Sequence, residues 1–149
     1  MKQLFTLAFL LAFSLGFSQL VTPDASPFAK VEQRVGLTDI TIEYSRPSIK
    51  GREIYGNLVP FNVLWRTGAN ARTNITFSTD AVVGGKSLSK GTYALFTIPG
   101  QQEWEIIFYT EYQGGGAPQE LENDKVAARF KAKAIKTAHL TETFTISVG

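Results

Sequence analysis

Residues 91–109 read G-T-Y-A-L-F-T-I-P-G-Q-Q-E-W-E-I-I-F-Y, and the fold turns on how they are read. Thr92, Ala94, Phe96 and Ile98 alternate with Tyr93, Leu95 and Thr97, the two-residue period of a strand. Both sets are largely apolar, so the strand is expected to be central and covered on two faces. Pro99 and Gly100 turn it. Trp104, Ile106 and Phe108 then alternate with Glu105, Ile107 and Tyr109, which predicts an antiparallel neighbour.

The same grammar extends outward. Val82-Val83, Gly84-Gly85 and Leu88 predict a tight two-residue hairpin. Ala29, Val31 and Val35 alternate with Lys30, Glu32 and Arg34. After a turn at Gly36–Asp39, Ile40, Ile42 and Tyr44 oppose Thr41, Glu43 and Ser45, giving another hairpin. Arg46-Pro47-Ser48 stops that strand, because proline cannot donate to a ladder. Residues 49–64, broken by Gly51, Gly56 and Pro60, make a connection long for a compact domain, the kind that is usually functional or packed over the core.

Downstream, Q-G-G-G-A-P at 113–118 is expected to be a flexible loop. Residues 120–134 have strong helix propensity, yet Val126, Ala128, Phe130, Ala132 and Ala134 alternate with Arg129, Lys131 and Lys133, so the second half is expected to be a strand. Phe144, Ile146 and Val148 against Thr143, Thr145 and Ser147 predict a last strand. Many short strands with glycine and proline turns argue an all-β fold, an antiparallel β-sandwich or jelly-roll-like single domain over residues 28–149.

Ahead of it, Lys2 precedes an apolar run from Leu4 to Phe17, with Gly16 and Ser18 at the small-residue positions of a cleavage site. Residues 1–18 are expected to be a signal peptide and 19–27, with Pro23 and Pro27, a linker. The expectation is an exported protein of the periplasm or cell surface, with no transmembrane segment in the mature chain. Cutting 18 residues from 149 leaves 131; losing Lys2 leaves 14 basic against 13 acidic side chains, a net charge of +1. No basic stripe argues for nucleic acid. A chain of this size buries roughly two-thirds of its unfolded surface, enough for one core without disulfides. Its lack of cysteine is compatible with a bacterial envelope.

The densest polar chemistry lies at 65–77, W-R-T-G-A-N-A-R-T-N-I-T-F. Gly68 allows a sharp reversal, Asn70 tolerates left-handed angles, and Ile75 and Phe77 carry the chain into a half-buried strand. Arg66 and Arg72 flank the turn with planar, permanently charged forks suited to carboxylate or phosphate. Two readings stand. In one, Arg66 and Asn70 satisfy buried carbonyls and hold the loop. In the other, Arg46, Arg66, Asn70 and Arg72 orient an anionic or polyhydroxyl ligand against Trp65 or Tyr44. Tyr44, Tyr55, Trp65, Tyr93 and Trp104 can likewise be stacking platforms or core residues.

Other chemistry is thin. Gly85-Lys86-Ser87 lacks the leading glycine of a phosphate loop, since Asp80 occupies that position. His139 is the only histidine and there is no cysteine, so no metal centre, cofactor or catalytic residue is assigned. No G-x-S-x-G elbow is present. Glu43 with Glu53 would suit carboxylate hydrolysis only at the right separation. The Asn74-Ile75-Thr76 sequon falls within a strand and reads as coincidental.

Three blocks, V-G-L-T-D-I-T-I-E-Y-S-R-P-S-I-K-G-R (35–52), L-V-P-F-N-V-L-W-R-T-G-A-N-A-R-T-N-I-T-F-S-T-D (58–80) and G-T-Y-A-L-F-T-I-P-G (91–100), resemble domain-of-unknown-function family 2911. That group of exported bacterial proteins is best represented in Bacteroidetes. The resemblance spans nearly the whole mature chain and implies an all-β envelope protein; it carries no activity with it. Its matching polar positions are Tyr44, Ser45, Arg46, Lys50, Arg52, Trp65, Arg66, Thr67 and Asn70. Two departures stand out. Residues 114–116 lack the family's tryptophan-glycine element. Members also run on through a further tryptophan-bearing strand, so an unpaired C-terminal edge is expected here. The leading functional expectation is a binding or interaction module for an anionic or saccharide ligand or a protein partner. A carboxylate-based hydrolase and a structural envelope subunit are the alternatives.

Overall fold

A computed structural model describes residues 22–149; the expected signal peptide and the first residues of the linker lie outside them. The sheet grows from local hairpins. Strands β1 (Phe28–Val35) and β2 (Thr38–Ser45) pair antiparallel from Val35 opposite Thr38 to Phe28 opposite Ser45. Gly36 takes the left-handed angle (φ +60°) that lets so short a link close. Strand β3 (Thr73–Phe77) joins β2 across the long connector, and β4 (Ala81–Val83) with β5 (Lys86–Leu88) forms a separate hairpin around Gly84-Gly85. Strand β6 (Gly91–Ile98) turns at Pro99-Gly100 into β7 (Glu103–Tyr109), and β8 (Val126–Lys133) follows a short 3-10 turn at Asn123–Lys125.

The main sheet is six-stranded and antiparallel in the order β1-β2-β3-β6-β7-β8. The chain is therefore all-β, with β6 in the interior. Both faces of β6 are covered, as its doubly apolar pattern requires. On one face Ile42, Tyr44, Ile75, Phe77, Tyr93, Leu95 and Phe108 form a buried cluster capped by Leu88 of the hairpin and by Phe144, Ile146 and Val148. On the other, Ala94, Phe96, Ile107 and Tyr109 pack under Leu64, Ala117 and Leu121. Phe96 and Ile107 are wholly buried, each stabilising the fold by roughly 1.5–3 kcal/mol. The arrangement is consistent with a sandwich whose second layer is slight: one two-stranded hairpin and an extended C-terminal segment.

Two expectations are corrected. Residues 144–148 do place Phe144, Ile146 and Val148 against the core, but they join no strand ladder; a single bridge, Ser48 to Thr143, anchors the segment. Its remaining polar contacts go to Arg46 and Tyr44 side chains, because the neighbouring sheet backbone is already paired. The glycine loop at 113–118 is pinned: the Arg72 N–H donates to the Gly114 carbonyl (3.3 Å) and Arg72 Nε to that of Gly116 (3.3 Å).

Candidate functional site

The connector returns to the sheet at Trp65, which exchanges both backbone hydrogen bonds with Thr97 (2.8 and 3.0 Å). Trp65 thus takes up the β6 edge just beyond the end of β3. The turn that follows bends at Thr67 and Asn70, both at φ +57°. For a β-branched threonine that angle costs roughly 1–2 kcal/mol. It is held by burial, by a 3.0 Å contact between the Thr67 and Thr97 hydroxyls, and by Thr73 Oγ1 donating to the Thr67 carbonyl (2.7 Å). Gly68 serves close approach: a Cβ there would meet Thr73 Oγ1 at 3.0 Å and the Ser45 carbonyl at 3.2 Å.

The turn's polar side chains face different ways. Arg46 Nε donates to the Phe144 carbonyl (3.0 Å) and its Nη2 to Thr145 Oγ1 (2.9 Å), tying down the C-terminal segment. Asn70 Nδ2 donates to the Ser26 carbonyl (3.2 Å) and to Ser45 Oγ (3.3 Å). Arg72 Nη1 reaches the Glu111 carbonyl (2.6 Å), and its guanidinium carbon lies 5.5 Å from the centre of the Phe96 ring. Arg66 differs: its Nε is sealed from solvent with no acceptor, and it makes no ion pair among the described residues.

The aromatic side chains stack on one another. Tyr55, Trp65 and Trp104 meet edge-to-face at 4.9–6.3 Å between centroids, and Phe144 links Trp65 (5.3 Å) to Tyr44 (5.8 Å). Tyr44 and Tyr93 are buried, while Tyr55 stays 40% exposed. Partial burial pushes the Tyr55 hydroxyl above the usual phenol range.

Beside the turn lies a cleft of about 170 Å³ lined by Phe28, Glu43, Tyr44, Ser45, Ala71, Arg72 and Asn74. Strand register explains its composition. Glu43 stands opposite Asn74 across β2 and β3, and Phe28 opposite Ser45 across β1 and β2, so alternate polar positions gather on one patch. Asn74 Oδ1 is sealed from solvent without a donor among the described residues. Glu43 makes no ion pair among the described residues; its cross-strand neighbour Lys30 sits instead 2.6 Å from Glu32. A larger groove, about 310 Å³, runs along the β4–β5 hairpin, but its one charged group, Asp80, already accepts from the Lys90 N–H (2.8 Å).

Of the six residues singled out in the sequence, Tyr44 and Arg72 border this cleft, and Asn70 touches it through Ser45. Arg46, Trp65 and Arg66 do not line it. Glu43, Ser45, Phe28 and Asn74 were not singled out as binding residues. The available signal was that Glu43 and Asn74 sit at polar positions of strands whose pairing sets them side by side. Among the described residues no three His, Asp or Glu side chains converge as a metal site, and no helix is long and apolar enough to cross a membrane.

A family model described as a protein of unknown function (DUF2911) matches residues 26–149. No curated protein and no solved structure matches the chain.

Proposed function

The chain belongs to the DUF2911 family of proteins of unknown function, and from its own residues we propose that it is an exported binding module of the bacterial envelope, taking a small polar ligand in the β2–β3 corner cleft. The observation that carries this is the cleft's unmet polarity. The lining gathers Glu43, Ser45, Arg72 and Asn74 on one face of the sheet, and Glu43 makes no ion pair among the described residues. A ligand that hydrogen-bonds to these groups would use polar capacity the fold does not consume. Export is supported by the Lys2-led apolar run at 4–17.

Hydrolysis by a carboxylate pair is not favoured, because the cleft holds one carboxylate, Glu43, and Glu53 lies elsewhere on the exposed connector. A second binding reading, an anion held by Arg66, has one observation behind it: among the described residues that guanidinium makes no ion pair. Thermal unfolding of the whole chain against saccharides, carboxylates and small amines tests both. A saturating ligand at ~100 times its Kd adds about 2.7 kcal/mol of stability. Asn74→Leu should abolish a gain that arises in the cleft, and Arg66→Lys a gain that arises at the turn. If no class of ligand raises the unfolding temperature, the binding reading falls.

A further inference from the structure

We infer that β1, an outer edge of the main sheet, pairs with β1 of a second copy of this chain across a two-fold axis at Val31. β1 stands first in the strand order, and among the described residues no strand covers its outer side. Its register with β2, continued by the Arg46 N–H donating to the Pro27 carbonyl (2.9 Å), fixes which backbone groups are spent. Those of Ala29, Val31, Gln33 and Val35 point into the sheet. Those of Phe28, Lys30, Glu32 and Arg34 point outward. Among the described residues only the Arg34 carbonyl of that outer set meets a donor, the exposed Gln33 Nε2 (3.2 Å). No bulge or proline interrupts the strand, and its charges alternate in sign, so little guards this edge against pairing. The opposite edge, β8, is guarded by charge: Arg129, Lys131 and Lys133 share a face, and a second β8 would meet them base against base.

Charge selects both the occupant and the register. Outward-facing residues must meet outward-facing residues, so a second β1 can slide only in steps of two. With Val31 opposite Val31, Lys30 of each copy faces Glu32 of the other. These four side chains close a ring of alternating charge with the 2.6 Å Lys30–Glu32 pair inside each strand. Phe28, 65% exposed, faces Arg34, whose guanidinium is already held by Asp39 through Nε (2.7 Å) and Nη2 (2.9 Å), an arrangement suited to a cation–π contact. One step in one direction sets Lys30 against Lys30; one step in the other sets Glu32 against Glu32 and Lys30 against Arg34. In the matched register four outward residues on each strand exchange roughly eight backbone hydrogen bonds. Ala29 and Val31, which border the core, gain apolar cover on the same contact. The dimer is closed by its two-fold axis, and the two six-stranded sheets become continuous. Phe28 also lines the corner cleft, so Arg34 of the second copy comes to its rim, although the pairing itself needs no ligand.

Sedimentation of the full chain over a range of concentrations is the test, and a species of twice the monomer mass is expected. Glu32→Lys and Lys30→Glu change exposed side chains and should leave the circular dichroism of the chain unaltered. Each variant sets two like-charged pairs across the axis, so each should raise the dimer dissociation constant at least about tenfold. An equimolar mixture of the two should restore the parent's constant, because every facing pair is again of opposite sign. The sequence has no cysteine, so a single introduced thiol reports the register. Val31→Cys should form an intermolecular disulfide on mild oxidation, and Gln33→Cys, which faces Ala29 of the second copy, should not. A chain that stays monomeric at every concentration overturns the proposal. So does a dimer indifferent to both charge reversals, or one that mixing the two variants fails to restore, since the contact then lies elsewhere.

Discussion

Gly84 is a position where one added methyl group should be costly. A Cβ there would lie 2.3 Å from two carbons of the Phe130 ring, and the residue sits at φ +57°. Its neighbour Gly85, at φ +74°, has open space around the same position. Gly85→Ala therefore measures the left-handed angle alone, about 1 kcal/mol. Gly84→Ala carries that cost plus displacement of a ring packed on Phe108 at 6.3 Å, about 1–3 kcal/mol more. The total, about 2–4 kcal/mol, lowers the unfolding temperature by roughly 3 °C per kcal/mol. Urea unfolding followed by tryptophan fluorescence separates the two variants. Phe130→Ala destabilises by itself, but in its background Gly84→Ala should cost about 1–3 kcal/mol less, since the clash is gone. Equal losses at Gly84 and Gly85, or strict additivity with Phe130→Ala, would refute the claim that the hairpin is seated on β8 through this contact.

Arg46→Ala removes both side-chain bonds to the C-terminal segment and should cost about 1–3 kcal/mol, with faster amide exchange confined to residues 142–148. Arg72→Lys keeps the charge but loses the rigid fork that bridges the Glu111 and Gly116 carbonyls; about 1–2 kcal/mol and raised exchange at 111–116 are expected. The hydrogen bond and charge of Arg34 hold the exposed Asp39 carboxyl below its ordinary range. A depressed value means the pair stabilises above the unfolded Asp pKa and fades as pH falls through the folded one, so Asp39→Asn should flatten only the acid limb of the stability–pH curve.

The hairpins were legible because their causes are local. Gly36 and Gly84-Gly85 meet the angle demands of tight turns, and alternation across 126–133 outweighed helix propensity once β7 offered a partner. The same alternation misled at 144–148. Periodicity reports which side chains turn inward, and Phe144, Ile146 and Val148 do, but it says nothing of whether a free backbone edge lies alongside. The arginines were the least legible. Arg46 meets its acceptors 98 and 99 residues away and Arg72 finds its own 39 and 44 residues on, so their engagement depends on contacts that no local pattern carries. The cleft was half visible: Glu43 and Asn74 stood on predicted strands, and only the register of β2 against β3 brought them together.

The docking of Phe144 between Trp65 and Tyr44 also sets the order in which the molecule can assemble. The Tyr44 hydroxyl accepts the Ile146 N–H across 102 residues, one of the widest separations in the fold. Adjacent hairpins close early, whereas this seal waits until residues 144–146 can dock on a sheet that is already formed. Chains rich in such distant pairings gain native structure in milliseconds to seconds rather than microseconds. Until then the aromatic floor of the sheet is open to water, and that interval is when the chain is most exposed to association and proteolysis.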